Sequence, residues 1–199
     1  MDQNITFYFD FSSTYAYVAQ SRIAALAARH GMGVLWRPFL LGAVMKAHGT
    51  EAPGGAGPKT DYMIMDVERI ANLAGLRFTL PPRFPFSSVQ PARAFYWIDR
   101  DDPQAAKAFA MAVFRATFGE GRDISTVEGV IEIGAELGYA EAALRAALAD
   151  EMIKARLRAE TDKAIEQGVF GSPTFLLDGK MYWGQDRLSL LEHHIESRQ

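Results

Sequence analysis

Apolar runs with strand character flank helical periodicity at the start of the chain. Residues 5–11 are apolar and aromatic and predict a buried strand. Apolar positions then recur at near-helical spacing over residues 14–28, and Gly31 follows as a stop signal. Residues 34–37 predict a second strand, which Pro38 ends. The chain therefore opens as strand–helix–strand.

The middle of the chain follows a different pattern. Prolines and glycines crowd residues 50–58, which predicts a loop. Helical spacing dominates the rest, and Asp102-Pro103 is typical of a helix start with proline at the first helical position. The spacing predicts helices over residues 40–47, 62–73, 90–98, 105–118, 127–137 and 141–167. The last of these is too long for one plain helix, so we expect it to bend or break near Asp150.

Strand patterns return near the end. Residues 174–177 and 180–183 predict two strands, and Asp178-Gly179 between them is typical of a type I′ hairpin. A final helix is expected over residues 186–196. The order βαβ…ββα predicts an α/β, thioredoxin-like fold with a large all-helical insertion. Residues 1–38 and 168–199 would form the thioredoxin-like domain, and residues 39–167 the inserted helical domain.

Composition narrows the chemistry. The chain has 199 residues, a formal net charge of −3 and no cysteine. The lack of cysteine excludes disulfides, cysteine-based metal sites and a redox thiol of the protein's own. The mild acidity gives no reason to expect nucleic acid as a partner. With no signal-peptide pattern and no apolar run long enough for a bilayer, we expect a cytoplasmic protein without a membrane partner.

The first candidate site is the turn between the first strand and the first helix. Ser13-Thr14-Tyr15-Ala16 stands where thioredoxin-like folds carry the C-x-x-C motif, at a helix N-terminus that stabilises a thiolate. A serine hydroxyl cannot exchange disulfides, but it can donate a hydrogen bond to a ligand's thiolate. The alternative is that Ser13, like Asp10 and Ser12, is only a turn or N-cap residue.

Two further candidates lie near the end of the chain. Pro173 precedes the third strand, where thioredoxin folds have a cis proline that exposes the backbone of the preceding residue, here Ser172. The alternative is an ordinary trans proline in a loop. Asp186, beside Gln185, begins the last helix and either caps it or holds an ammonium group of a ligand. The histidines lack metal-ligand spacing, so no metal site is expected.

Four segments of the sequence carry a family resemblance. YFDFSSTYAYVA, WRPFLLGAVMKAHG, GRDIS and GVFGSPTFLLDGKMYWGQDRLSLL resemble the 2-hydroxychromene-2-carboxylate isomerases, which are similar to kappa-class glutathione transferases. The resemblance covers nearly the whole chain, and its last segment is the most specific. It implies a thioredoxin domain with a helical insertion, bound glutathione as cofactor, and a homodimer.

The resemblance also implies roles for individual residues. Ser13 would contact the glutathione sulfur, and the backbone of Ser172, before Pro173, would pair with the cysteinyl part. The γ-glutamyl end would bind Gln185 and Asp186. Lys59 would reach the glycine carboxylate. Three positions depart from the family pattern: Thr14 replaces a usual proline, and Thr50 and Ser87 stand where asparagines are common.

Thiol chemistry agrees with this reading. A free thiol with a pKa of about 8.5 is only about 3% thiolate at pH 7. Lowering that pKa by about 2 units costs about 2.7 kcal/mol and gives roughly three-quarters thiolate. A helix N-terminus and one hydroxyl donor can supply most of this.

The resulting hypothesis is a glutathione-dependent isomerase of 2-hydroxychromene-2-carboxylate, giving trans-o-hydroxybenzylidenepyruvate in aromatic degradation, with the thiolate adding to and leaving a small aromatic electrophile. The pocket for that substrate would draw on aromatic residues such as Tyr15, Phe39, Phe86 and Trp183, each of which is otherwise a core residue. The alternatives are a kappa-like transferase that conjugates glutathione, and a non-catalytic glutathione- or peptide-binding protein.

Overall fold

A four-stranded mixed sheet forms the centre of the computed structural model, which describes residues 2–50 and 57–198. The strands are β1 (Asn4–Phe9), β2 (Gly33–Pro38), β3 (Thr174–Leu177) and β4 (Lys180–Trp183). Their order across the sheet is β2-β1-β3-β4. Strand β1 pairs parallel with β2 and antiparallel with β3, and β3 pairs antiparallel with β4. The predicted thioredoxin-like arrangement is confirmed.

Helices make up most of the remaining chain. They are α1 (Thr14–Arg29), α2 (Leu41–Ala47), α3 (Pro58–Leu73), α4 (Val89–Asp99), α5 (Pro103–Phe114), α6 (Val127–Glu136), α7 (Glu141–Ala149), α8 (Glu151–Glu166) and α9 (Leu188–Glu196). A π-helical turn, Arg115–Gly119, continues α5, and a 3-10 turn, Gln185–Arg187, precedes α9. Helices α2 to α8 all lie between β2 and β3 in sequence, and their division into a separate domain stays a prediction.

Capping side chains explain two helix boundaries that the sequence predicts. Asp150 ends α7 and begins α8, and its carboxylate accepts a hydrogen bond from the Met152 N–H at 2.7 Å. Its extended backbone breaks the helical path, so the predicted break near this residue is confirmed. Asp102 caps α5 in the same way, with Pro103 at the first helical position.

Other boundaries differ from the predictions. Within the predicted loop 50–58, residues 51–56 lie outside the described part of the chain, and Pro58 is the first residue of α3. That end of the loop prediction is wrong, because proline suits a first helical turn, where no N–H is needed. Strand β1 ends at Phe9 rather than at residue 11, because the Asp10 carboxylate bonds the Ser12 N–H and turns the chain.

Both faces of the sheet are covered at β1, which explains why its last three residues, Phe7, Tyr8 and Phe9, are all aromatic and buried. On one face Phe7 stacks on Phe9 and Phe175, with ring centroids 4.9 and 5.2 Å apart. On the other face Tyr8 packs against Phe39 and donates a hydrogen bond to Gln167 Oε1, just after α8. Strand β1 is therefore held by contacts on both of its faces.

The β3–β4 turn also matches its sequence signal. Asp178 and Gly179 have φ angles of 50° and 71°, the left-handed values that a type I′ turn requires. None of the helices described for residues 2–50 and 57–198 combines the length and the hydropathy needed to cross a bilayer.

Candidate active site

Ser13 lies at the N-terminus of α1 with its side chain in contact with the cis-proline loop. Its backbone is extended, and its Oγ accepts a hydrogen bond from the Ala16 N–H at 3.2 Å. The same hydroxyl donates to the carbonyl oxygen of Ser172 at 3.0 Å. Ser13 is thus an N-cap, as one prediction held, and its proton also points towards the second candidate segment.

The Ser172–Pro173 peptide bond is cis, as predicted. The Ser172 Oγ accepts a hydrogen bond from the Asp10 N–H at 2.9 Å, which fixes this loop against the end of β1. No atom of residues 2–50 or 57–198 accepts a hydrogen bond from the Ser172 N–H. Because Ser172 lines both cavities described next, its backbone can pair with an extended peptide.

Two adjacent cavities meet at Tyr15, Ser172 and Trp183. The first, here the polar cavity, has a volume of about 510 Å³ and extends to Asp66, Gln185, Asp186 and Arg187. The second, here the apolar cavity, has a volume of about 230 Å³ and extends past Ser13 to Leu41, Met45, Met63, Phe84 and Phe170. The site therefore consists of a polar cavity and an apolar cavity that share Ser172 as a lining residue.

Asp186 and Gln185 form one end of the polar cavity. The Asp186 side chain is 58% exposed, and its Oδ2 lies 3.0 Å from an Arg187 nitrogen. It caps neither the 3-10 turn nor α9, whose cap positions are Gly184 and Arg187, so the capping alternative is wrong. Gln185 is buried, and its Oε1 accepts a hydrogen bond from Arg22 at 2.9 Å.

Asp66 is a site residue that the sequence reasoning missed. Its Oδ2 accepts a hydrogen bond from the Tyr15 hydroxyl at 2.8 Å, across the polar cavity. Burial, followed by this hydrogen bond, raises the pKa of Tyr15 well above its usual value, so the phenol stays protonated. The missed signal was helical spacing, because Met63, Asp66 and Ile70 share one face of α3.

Lys59 lies on that same face, one turn before Met63, in the first turn of α3. It is exposed and lines neither cavity. The structure therefore places Lys59 near the site residues of α3 without bringing it into contact with Ser13 or Ser172.

Aromatic and sulfur-containing side chains form the apolar cavity. Phe170 and Trp183 meet at its mouth, with ring centroids 4.8 Å apart and ring planes at 62°. Tyr15 and Trp183 line it, as predicted. Phe39 and Phe86 do not: Phe39 is buried against Tyr8, and Phe86 packs on Phe84 and Phe118. No group of three His, Cys, Asp or Glu residues in the described ranges is arranged to hold a metal ion.

Comparison with known proteins shows the family to which this chain belongs. A family model described as a DSBA-like thioredoxin domain matches residues 4–196. A 2-hydroxychromene-2-carboxylate isomerase of Pseudomonas putida is 33% identical over 192 residues, covering 94% of this chain and 92% of its own. The kappa 1 glutathione S-transferase of Rattus norvegicus is 23% identical over 198 residues, covering 94% of this chain and 88% of its own.

A solved structure gives the same result. A 2-hydroxychromene-2-carboxylate isomerase superposes with a TM-score of 0.86 at 31% identity, covering 98% of this chain and 95% of the other. These relatives support an enzyme of the isomerase or glutathione transferase type. The chain belongs to the DSBA-like thioredoxin domains, in the family of the 2-hydroxychromene-2-carboxylate isomerases, to which the kappa-class glutathione transferases are related.

Proposed function

We propose that this protein binds glutathione and isomerises 2-hydroxychromene-2-carboxylate to trans-o-hydroxybenzylidenepyruvate in the cytoplasm. The observation that carries the proposal is the position of the Ser13 hydroxyl. It lies at the N-terminus of α1, 3.0 Å from the Ser172 backbone, where the polar and apolar cavities meet. The names of the relatives supply the reaction, and the two cavities supply places for a peptide and for an aromatic ring.

The residues present fit glutathione along the polar cavity. The Asp186 carboxylate faces the cavity and can hold the γ-glutamyl ammonium, with Gln185 beside it. The Ser172 N–H has no acceptor of its own in the described chain and can pair with the cysteinyl backbone, against Pro173. Lys59, in the first turn of α3 and outside both cavities, is the cation proposed for the glycine carboxylate. The volume of the polar cavity, about 510 Å³, suits a small ligand.

Bound glutathione would supply a thiolate, the nucleophile that this cysteine-free chain lacks. Ser13 stabilises negative charge at that point in two ways. Its position at the start of α1 exposes the charge to the positive end of the helix dipole. Its hydroxyl also supplies a charge-assisted hydrogen bond, which is roughly twice as strong as a neutral one.

The Ser13 hydroxyl has only one proton, which it donates to the Ser172 carbonyl in the structure. That carbonyl can instead accept from an amide N–H of a peptide bound along Ser172. Such binding would leave the Ser13 proton available to the thiolate. Ser13 and Ser172 thereby couple occupation of the polar cavity to activation of the sulfur.

The apolar cavity would take the aromatic electrophile. Met45, Met63 and Phe84 give it an apolar lining, and low polarity would strengthen the interaction between Ser13 and a neighbouring charge. Two other functions remain open to test. A kappa-like transferase is favoured by the Rattus norvegicus relative, and a glutathione- or peptide-binding protein would use the same contacts without catalysis.

Turnover per glutathione tests the proposal. Enzyme is incubated with substoichiometric glutathione and excess 2-hydroxychromene-2-carboxylate, and the substrate spectrum is followed. An isomerase gives many turnovers per glutathione and returns the free thiol at the end. A reaction that stops when glutathione is exhausted identifies a transferase. Glutathione binding without any reaction would overturn the isomerase and support the binding function.

A further inference from the structure

The Asp10 carboxylate lies at the turn that carries Ser13 and is almost completely buried, with 2% exposure. Its Oδ1 accepts hydrogen bonds from the N–H and the hydroxyl of Ser12, both at 2.7 Å. Its Oδ2 accepts from the Leu41 N–H at 2.8 Å and from the Ser88 hydroxyl at 2.9 Å. Burial raises the pKa of Asp10, and these four hydrogen bonds oppose that rise.

The three partners lie in three separate segments, and each segment supplies part of the apolar cavity. Ser12 itself lines it, directly before Ser13. Leu41 begins α2, one turn before the lining residue Met45. Ser88 immediately precedes α4 and follows the lining residues Phe84 and Pro85 by only a few positions. One buried carboxylate therefore joins three parts of the cavity wall that are distant in sequence.

The backbone of Asp10 contacts a fourth segment. Its N–H donates to the Ser172 Oγ at 2.9 Å, and its carbonyl accepts from the Ser13 N–H at 3.0 Å. Asp10 does not line either cavity. Asp10 can therefore affect a molecule bound in the apolar cavity only through the residues that it contacts.

We propose that Asp10 is a positioning residue that sets the shape of the apolar cavity and so selects among electrophiles. The inference rests on the function proposed above, because it takes the apolar cavity as the electrophile site. Displacing the walls of such a site by about 1 Å is enough to change turnover by roughly a hundredfold.

The chemistry requires a carboxylate. Each Asp10 oxygen accepts from one backbone N–H and one hydroxyl. Asparagine has one acceptor oxygen, so its NH2 group would face either the Ser12 or the Leu41 N–H in either orientation. A hydroxyl can rotate to accept instead, whereas a backbone N–H cannot. Asp10→Asn keeps the size of the side chain and breaks one of the contacts between segments.

The test compares two electrophiles of different size, 1-chloro-2,4-dinitrobenzene with one ring and 2-hydroxychromene-2-carboxylate with two. For Asp10→Asn we expect the ratio of their kcat/KM values to change about tenfold. Glutathione affinity, measured by calorimetry, should change about twofold or less, because Asp186 and Gln185 bind its far end. Ser88→Ala removes one hydroxyl only and should shift the ratio in the same direction by less.

Asp123→Asn is the matched control. Asp123 makes the same turn, with its Oδ1 accepting from the Ser125 N–H at 2.9 Å and the Ser125 hydroxyl at 2.6 Å, and Asp123 lines neither cavity. For Asp123→Asn, the ratio of the kcat/KM values for the two electrophiles should equal that of the wild type.

The outcomes separate the two proposals. An active wild type with an unchanged ratio in Asp10→Asn, or an equal shift in Asp123→Asn, overturns the role of Asp10 alone. If Asp10→Asn does not fold, the ratio for Ser88→Ala decides in the same way. A wild type that neither binds glutathione nor turns over either electrophile overturns the proposed function, and the role of Asp10 with it.

Discussion

Ser13 combines two roles that are usually found on different residues. As an N-cap it accepts a hydrogen bond from the Ala16 N–H, which stabilises α1. As a donor it contacts the Ser172 carbonyl, on the opposite side of the site. The acceptor role serves the fold, and the donor role is the one proposed for the chemistry. A substitution at Ser13 therefore affects both roles and requires a control that affects only one.

Ser13→Ala should lower saturated turnover roughly 10- to 150-fold, because a charge-assisted hydrogen bond worth about 1.5–3 kcal/mol is lost. Ultraviolet titration should show a raised pKa for the bound glutathione thiol. Thr126→Ala removes another hydroxyl cap, that of α6, which accepts from the Gly129 N–H at 3.1 Å. Both variants should lose about 1 kcal/mol of stability, and only Ser13→Ala should lose activity. An unchanged thiol pKa and rate would leave Ser13 as a cap alone.

Asp186→Asn should weaken glutathione binding about tenfold and leave saturated turnover nearly unchanged, because one charge-assisted contact of the ground state is lost. Calorimetry of both proteins measures the effect. Asp101→Asn is a suitable control, since Asp101 is an exposed carboxylate paired with its neighbour Arg100 at 2.8 Å, as Asp186 is with Arg187. Equal dissociation constants for wild type and Asp186→Asn would contradict the role in binding.

At the scale of elements, backbone conformation decides whether a glycine raises or lowers the free energy of unfolding. Gly179 has a φ of 71° in the β3–β4 turn, and Gly42 lies in α2. Apart from the adjacent residues and the backbone of α2 itself, an added Cβ would meet no atom of the described chain within 4 Å at either position. Steric crowding is thus the same for both, and only the backbone differs.

The same substitution should therefore have opposite effects at the two positions. Gly179→Ala should lower the free energy of unfolding by about 1 kcal/mol, because L-residues with a side chain disfavour left-handed φ values. Gly42→Ala should raise it by about 0.5 kcal/mol, because alanine is the better helix former. Urea unfolding of both variants measures the difference. Equal changes of the same sign would contradict this account of the turn.

Most elements could be predicted from the sequence because their signals are local. The break at Asp150, the start of α5 at Asp102 and the turn at Asp178 each depend on residues within a few positions. The start of α3 was misjudged because proline marks loops and first helical turns alike. Local patterns fix which elements form, and they leave such boundaries ambiguous.

The site was only partly predictable at the scale of the whole molecule. Ser13 and Pro173 could be placed because the order of strands brings their turns together. Phe170 lines the apolar cavity through packing between distant segments, which no local pattern encodes. Helical spacing groups Asp66 with Met63 and Ile70, but it does not show that this face of α3 meets Tyr15. The hydrogen bond between Ser88 and Asp10 likewise joins residues that are distant in sequence. Phe39 was offered as a pocket residue but packs against Tyr8 in the core. The sequence around an aromatic residue does not show whether it lies in the core or lines a pocket.

Buried tyrosines should make the folded protein less stable at high pH. Burial raises the pKa of Tyr8 from 10.0 to about 12, and burial also raises the pKa values of Tyr17 and Tyr96. The unfolded chain therefore loses protons at a pH where the folded chain keeps them. Stability from this source is complete below pH 10 and is lost as the pH rises from 10 to about 12.

Tyr8→Phe should reduce this loss. The variant lacks the hydrogen bond to Gln167 and should be less stable near neutral pH. The difference in unfolding free energy between wild type and variant should shrink as the pH rises from 10 to about 12, because only the wild type pays for keeping the Tyr8 phenol protonated. Urea unfolding across this range measures it, and parallel pH curves would contradict the assignment.

The whole chain should lack disulfide oxidoreductase activity, although its fold is that of DSBA-like thioredoxin domains. It has no cysteine, and serine at position 13 cannot form a mixed disulfide. Insulin reduction by dithiothreitol should proceed at the rate of the blank, with a cysteine-containing thioredoxin as positive control. Acceleration by the purified protein would contradict this expectation.

The central strand has one partner early in the chain and one late. Strand β2 follows β1 closely, whereas residues 39–173 separate β2 from β3, which pairs with the other edge of β1. The ribosome synthesises the chain in that order, so one edge of β1 stays unpaired while the seven helices described between β2 and β3 are made. The hydrogen bond between Ser13 and Ser172 forms equally late, because Ser172 is synthesised just before β3. The proposed active site is therefore among the last parts of the nascent protein to assemble, and chains released before β3 should lack the proposed activity.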